Sequence, residues 1–451
     1  MTTISSIMNN TVSSLLTQQY AISVTSRNIV NATTDGYTRE TVVFNDTNDG
    51  TTASAKRVYD TFLTNQLVSV QTDLGKYTAQ AEYLGSIEGI FAESEGSGLS
   101  EALSEFWSAW QDLADNPTGT AERSSLVSDA NTLAGLFNSK RSSLSEQQQA
   151  IDDDVADTVA AINEDIRKIA ALNQQIAQVS AKGQDTGSLQ DNLETLVKDL
   201  ASLTDITTYT GDNGQISINL TNGSPLVQGT TTWSLGTATN ATTGLQDVTW
   251  IDDQGNAAVI TSEMTGGKLG GELEVRDETI PSYLGSLDTL AATLIEAVND
   301  LHTTGYDLNG DAGTAFFSGT TAADMAVSAT ILADAGLVAA SDTASAQSTD
   351  GSIATAIAAL QESLLLSGGT ATYSDFYSAL VTRVGTDVEK AGDRYDSQSD
   401  TVTLYQNLRD SVSAVSTDEE QTKLLAYQSV YQASAKLITV LDEMLETILE
   451  M

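Results

Sequence analysis

The 451 residues contain no cysteine. That excludes disulfides, thiolate chemistry and Cys-ligated zinc or iron–sulfur sites. A chain that is exported unfolded gains from having no thiols to cross-link. Positive charge is scarce too: 20 Lys and Arg stand against 61 Asp and Glu, a net charge of −41. So acidic a chain argues against a phosphate-backbone partner and equally against an anionic membrane surface. There is one histidine, His302, and no glycine-rich phosphate loop. No run approaches the roughly 20 apolar residues of a membrane span. The N-terminus shows neither a basic n-region nor a continuous apolar h-region, so no general secretory signal is visible. An extracellular destination would need another route.

What is present is enough for a packed core. The apolar fraction is 40%, and the length fits roughly three domains. The two ends are the most telling segments. The first, Met1 to Val30, carries Ile4, Ile7, Met8, Val12, Leu15, Leu16, Ile22 and Ile29. The last reads Leu424, Tyr427, Tyr431, Ser434, Ile438, Leu441, Leu445, Ile448, in alternating steps of three and four. That is the heptad seam of a coiled coil. Leu425, Val430, Leu437, Val440, Met444 and Leu449 lie outside this seam, more apolar surface than one partner helix covers.

Between the ends, Asn31 to Tyr37 stops the first helix with Asn, Asp and Gly turn chemistry. A β-prone stretch, Thr41 to Phe44, and a polar loop follow. Helical periodicity covers about 59–91, 99–113, 120–147 and 151–180, and Leu189, Leu193, Leu196, Leu200 and Leu203 form a second clean seam. The last two helices read as an antiparallel hairpin. Residues 206–276 turn to Thr, Gly and Asn with short alternating runs, among them Glu272 to Val275, and read as strands. A helix from about Pro281 to His302 follows, and helix returns from about 352. Ser416 and Glu419 have capping-box spacing at the start of the terminal helix.

The expected fold is mainly α with an inserted β-rich domain. Residues 1–40 and 416–451 form a coiled-coil core of terminal helices. Residues 41–205 and 352–415 form a long-helix bundle. Residues 206–351 form one outer β-rich domain with one helix.

Few residues invite chemistry. His302 sits at a predicted helix end, beside the dipole, with no nucleophile or metal partner in sight. Asp307, Asn309 and Asp311 imitate the opening of a calcium loop, but Ala312 replaces the required Gly and Ser318 the bidentate Glu. They are at most weak metal candidates, and an Asx-rich turn accounts for them. Phe106, Trp107 and Trp110 fall on a helical period and read as bundle core rather than a sugar platform. Asp152-Asp153-Asp154 reads as a solvated turn at a helix start. No catalytic residue and no cofactor are expected.

Ser26-Arg27-Asn28-Ile29-Val30-Asn31-Ala32-Thr33-Thr34-Asp35-Gly36-Tyr37-Thr38-Arg39 resembles the signature of flagellar rod, hook and hook-associated axial proteins. Asn28, Ile29, Asn31, Gly36, Tyr37 and Arg39 carry that likeness. The segment Tyr427 to Met444 resembles the partner signature at the other end. The interior is more selective. Arg57 to Leu63, Gly98 to Ser100, Phe106 to Leu113, Asn116-Pro117, Ala121 to Arg123 and Ser416 to Glu420 resemble the hook-associated protein 1 (FlgK) family. The likeness covers about 1–205 and 370–451. Arg27 and Asn192 depart from the family's usual residues.

The resemblance implies a structural role and no enzyme activity. It implies export through the flagellar type III channel to an extracellular hook–filament junction. It implies a homo-oligomeric ring or short tube at the distal end of the hook, with the hook protein, a second junction protein and a cytoplasmic chaperone as partners. Leu424, Tyr427, Tyr431, Ile438, Leu441, Leu445 and Ile448 are the expected assembly and chaperone face. The alternatives are a hook or rod protein, or an adhesin or glycan-active protein working through the β-rich domain.

Overall fold

The computed structural model describes residues 4–47, 50–94, 97–211 and 213–449, with the side chains of Ser5, Thr47, Gly50, Ile448 and Leu449 excepted. The chain is mostly helical, with a few small antiparallel sheets. Helix α1 (Ile4–Val30) leads to the hairpin β1 (Glu40–Thr47) and β2 (Gly50–Arg57). Then come α2 (Thr61–Phe91), α3 (Leu99–Asp115), α4 (Thr120–Ser180) and α5 (Gly187–Leu203). Strands β3 (Ile206–Thr210), β4 (Ile216–Leu220), β5 (Pro225–Gln228) and β6 (Thr231–Thr232) form one sheet in that order. Strands β7 (Ser234–Thr239), β8 (Gln246–Ile251) and β9 (Ala257–Val259) form another. Helix α6 (Gly267–Glu274) runs through a π-helical turn, Val275–Thr279, into α7 (Ile280–His302). A two-stranded ribbon, β10 (Phe317–Ser318) and β11 (Ala326–Val327), and the short helices α8 (Ala329–Ala333) and α9 (Ser352–Ala358) precede the long α10 (Tyr373–Ser413) and α11 (Thr417–Leu449).

Helix α4 is the spine, and it corrects two expectations. The segments 120–147 and 151–180 are one continuous helix of 61 residues. The acidic triplet therefore lies in mid-helix rather than in a solvated turn. Asp152 is buried there against Arg276, at 2.6 Å, and accepts the Gln246 N–H. Charged partners from distant segments override the local turn signal, and sequence periodicity does not reveal them. The apolar core is likewise divided along α4. Leu126 to Ile151 pack with α3, α7, α9 and the start of α10. Val155 to Ile176 pack with α5, α6 and both sheets.

The sheets lie on the second half of α4 through two asparagines. Asn173 donates to Ile216 O and Gly229 O and accepts from the Ile216 N–H. Asn163 exchanges the same pair of bonds with the Leu235 backbone. Each amide acts as a strand partner, satisfying backbone groups that would otherwise be orphaned. The stretch Glu272 to Val275 is not a strand, as its alternation suggested. It closes α6, where Leu269 and Leu273 face the core four residues apart. Glycine makes the helix fit: a Cβ on Gly271 would stand 2.5 Å from the Lys76 carbonyl of α2.

Phe106, Trp107 and Trp110 of α3 are all buried, in a ring cluster with Phe316, Phe317, Tyr373 and His302. His302 ends α7 and is fully buried. Its Nδ1–H donates to Thr314 O, and its Nε2 accepts the Ala339 N–H. Burial holds the imidazole down at about 4, because a second proton would displace the Ala339 N–H. The unfolded chain protonates His near 6.5. This site's stability is therefore fully present above pH 6.5 and lost as pH falls toward 4. Wild type should lose up to about 3 kcal/mol at this site over that window. The variant His302→Gln should lose that part of the acid dependence, as denaturant titrations at pH 7 and pH 4 would read.

Candidate assembly interface

The two ends of the chain meet. Helix α1 runs antiparallel to α11, with Ser14 hydroxyl 3.4 Å from that of Ser434 and Asn28 bonded to Glu420. Alongside, α2 packs against α10 through Leu67, Val70 and Val402.

Asn28 is the hub where the end helices join the body. It is buried, and both ends of its amide are used twice. Its Nδ2 donates to Glu40 O at 2.8 Å and to Glu420 Oε2 at 2.9 Å. Its Oδ1 accepts from the Glu40 N–H at 3.0 Å and from the Tyr37 hydroxyl at 2.9 Å. Only an amide offers two donors and an acceptor of two bonds in one planar group. Asn31 caps the helix end, donating to Arg27 O. Gly36 takes φ +78°, a left-handed turn that an L side chain resists, and its carbonyl accepts from Arg409. Arg39 donates its N–H to Ser413 O and pairs with Glu419, tying the turn to both C-terminal helices. Ile29 is half-buried beside this clasp.

A buried ionic layer lies beneath. Arg57 meets Asp191 at 2.6 Å and Glu194 at 2.8 Å, and donates to Thr38 Oγ1. Arg409 also reaches Thr38 and lies 3.8 Å from Glu194. Burial pushes Glu194 up, but Lys198, Arg57 and Arg409 outweigh it and hold the carboxyl below its usual range. Nearby, burial and the Asp185 charge push Glu40 up against the pull of Arg27. Arg27, the departure from the family pattern, spans Glu40 and Asp185. Sequence reading missed Glu40, Asp191, Glu194 and Arg409, whose partners lie more than 100 residues away along the chain or on another element.

The expected seam of α11 faces α1 unevenly. Leu441 is buried, at 5% exposure, while Leu424, Tyr427, Ile438 and Leu445 are half-buried and Tyr431 is exposed. The Tyr427 ring meets Phe44 of the hairpin edge-on, at 6.2 Å. The Ile448 side chain lies outside the described residues. A second row runs beside the first: Ala426, Val430, Ala433, Leu437, Val440 and Met444, again in steps of four and three, all exposed. On α1 the arrangement is inverted. Its inward face is mostly small or polar (Thr11, Thr17, Ala21, Thr25, with Val24 as the buried aliphatic), and Ile7, Met8, Val12 and Leu16 point outward.

Asp307, Asn309 and Asp311 form a turn. The Asp307 carboxylate accepts the N–H groups of Asn309 and Asp311, at 2.8 and 2.9 Å, so backbone donors occupy its lone pairs. Among the described residues, no group of three or more acidic, His or Cys side chains could hold a metal ion. No helix among them is long and apolar enough to cross a membrane.

Residues 84–317 match the model of the flagellar hook-associated protein FlgK helical domain. Residues 409–451 match that of the flagellar basal body rod FlgEFG protein C-terminal region. Flagellar hook-associated protein 1 of Escherichia coli is 26% identical over 545 aligned residues, covering 99% of each chain. The protein of the same name from Bacillus subtilis is 28% identical over 498, covering 96% of each. The solved flagellar hook junction protein FlgK from Burkholderia pseudomallei superposes with a TM-score of 0.70 at 16% identity, over 77% of this chain and all of that one, a likeness of fold.

Proposed function

This chain belongs to the FlgK family of flagellar hook-associated proteins, and on that premise we propose that it joins hook to filament at the distal end of the hook. It is a structural protein of the flagellum, not an enzyme, and serves motility. In our reading its copies form a ring or short tube through α1 and α11. The hook protein lies on one side of this ring and a second junction protein on the other. Before export, a cytoplasmic chaperone covers α11. The chain then leaves the cell by the flagellar export route.

One observation supports this above the others: α11 carries two heptad rows, and its own α1 covers only one. Each large residue of the bare row is already about half covered, so covering the rest yields roughly 1 kcal/mol apiece. That sum is modest for one contact and cooperative around a closed ring. The outward Ile7, Met8, Val12 and Leu16 of a second copy match it in chemistry. The coiled-coil character of the core and the division into terminal, helical and outer parts belong to the same reading. The packing favours a division of the outer part: 206–273 goes with the second half of α4, and 280–366 with the first half.

The functional test is deletion of the gene followed by electron microscopy of the cell surface. Hooks without filaments are expected, restored by the full-length chain. Hooks that carry normal filaments would overturn the junction role.

A further inference from the structure

The two apolar clusters meet at a polar joint around residues 148–158 of α4. Glu272 of α6 lies at its centre and is wholly buried. Its Oε1 accepts from Thr158 at 3.0 Å and stands 3.4 Å from the Tyr83 hydroxyl. Its Oε2 has no partner among the described residues. Tyr83 of α2 gives its own proton to Asp154 of α4, at 2.7 Å, so its oxygen is free to accept. Lys268, on the same helix as Glu272, approaches Oε1 to 3.4 Å from a half-buried position. Glu82 adds negative charge on the α2 side. Helix α5 meets α6 through Val197, Leu200, Leu269 and Leu273. One turn on, Arg276 joins Asp152 of α4 to Gln246 O of β8.

An ionised carboxylate fits this site poorly. One oxygen, Oε2, would be buried with no donor, and the Asp154 carboxylate lies on the far side of the shared Tyr83 hydroxyl. A neutral carboxyl fits better: an Oε1–H can donate to the Tyr83 oxygen while Oε1 accepts from Thr158. The unpartnered Oε2 is then an uncharged carbonyl oxygen, which costs less to bury than a carboxylate oxygen. Gly271 lets α6 lie directly against the α2 backbone, and in that position Glu272 has no exposed surface. A π-helical turn follows α6 directly, a break in the regular α-helical ladder of a kind frequent at functional sites.

We propose that Glu272 is a proton latch between the two halves of the body. Neutral, it seals α6 between α2 and α4; ionised, it draws in water and loosens α6 with the sheets that precede it. Burial raises this carboxyl to about 7, against the pull of Lys268. The folded state therefore keeps a proton that the unfolded chain gives up near 4.3. The latch contributes fully below that pH, and its contribution is lost as pH rises through about 7.

Hydrogen exchange of the full-length chain, followed by mass spectrometry from pH 5 to 9, tests the latch. After correction for base catalysis, opening of 267–279 should increase up to about a hundredfold across the range in wild type. It should stay flat in Glu272→Gln. The midpoint should move down in Asp154→Asn, which removes a repelling charge, and up in Lys268→Met, which removes an attracting one. Difference infrared spectra of wild type should show a protonated carboxyl at pH 6 that disappears by pH 9; this arm stands if a variant fails to fold. Equal pH dependence in wild type and Glu272→Gln would overturn the latch, as would a carboxylate already ionised at pH 6.

Discussion

A chain carrying Leu437→Glu and Val440→Glu should fold as wild type does and fail to assemble. Both residues lie in the bare row of α11, about half exposed, and face neither α1 nor the body. Surface substitutions of this kind cost the monomer within about 0.5 kcal/mol. In an assembled ring the same positions would bury two carboxylates against apolar side chains, which costs several kcal/mol per charge. Each copy would pay that at its interface, so assembly should be abolished rather than weakened. Circular dichroism and thermal melting check the first half of the expectation. Motility and filament number in a deletion strain carrying the variant check the second. The contrasting variant Leu441→Ala acts on the covered row and should destabilise the α1–α11 pair by about 2–4 kcal/mol.

Replacing Asn28 by alanine should have the largest effect of any single change near the clasp. Four hydrogen bonds disappear together, and among the described residues the Glu420 carboxylate keeps only Lys423 as a partner. Leaving such groups buried and unsatisfied costs about 1–3 kcal/mol each, less what water recovers. A loss of about 3–5 kcal/mol in docking of the end helices is expected. Limited proteolysis reads it directly. Residues 4–39 and 417–449 of Asn28→Ala should be cut far faster than in wild type, while the aromatic core around Trp110 stays protected. Asn28→Asp should fail as well, because a carboxylate offers no N–H to Glu40 O or Glu420.

The helical stretches were legible because one face of each is apolar at a helical period. The heptad steps of α11 and the aromatic spacing of α3 are examples. The hairpin β1–β2 was half legible: Thr41 to Phe44 reads as strand, while the polar stretch Asn45 to Ser54 reads as loop, although β1 runs on to Thr47 and β2 starts at Gly50. The errors share a cause. Asp152 looked like a surface residue because its partner, Arg276, is 124 positions away. Glu272 looked like part of a strand because its burial depends on three helices brought together by the fold. The clasp was visible only as a motif. That Asn28 must be an amide follows from groups on Tyr37, Glu40 and Glu420, which no local pattern places around it.

The absence of cysteine allows a direct test of the central claim, that the bare row of α11 is covered by a second copy. Chains with the single change Val440→Cys are mixed with size-tagged chains bearing Val12→Cys or Leu16→Cys, allowed to assemble, and oxidised. Any disulfide between the two species must join different copies. The account predicts mixed dimers that form only on assembly, and none when Leu441→Cys replaces Val440→Cys, since Leu441 is covered within its own chain. Normal assembly without mixed dimers, or equal cross-linking through Leu441→Cys, would contradict it.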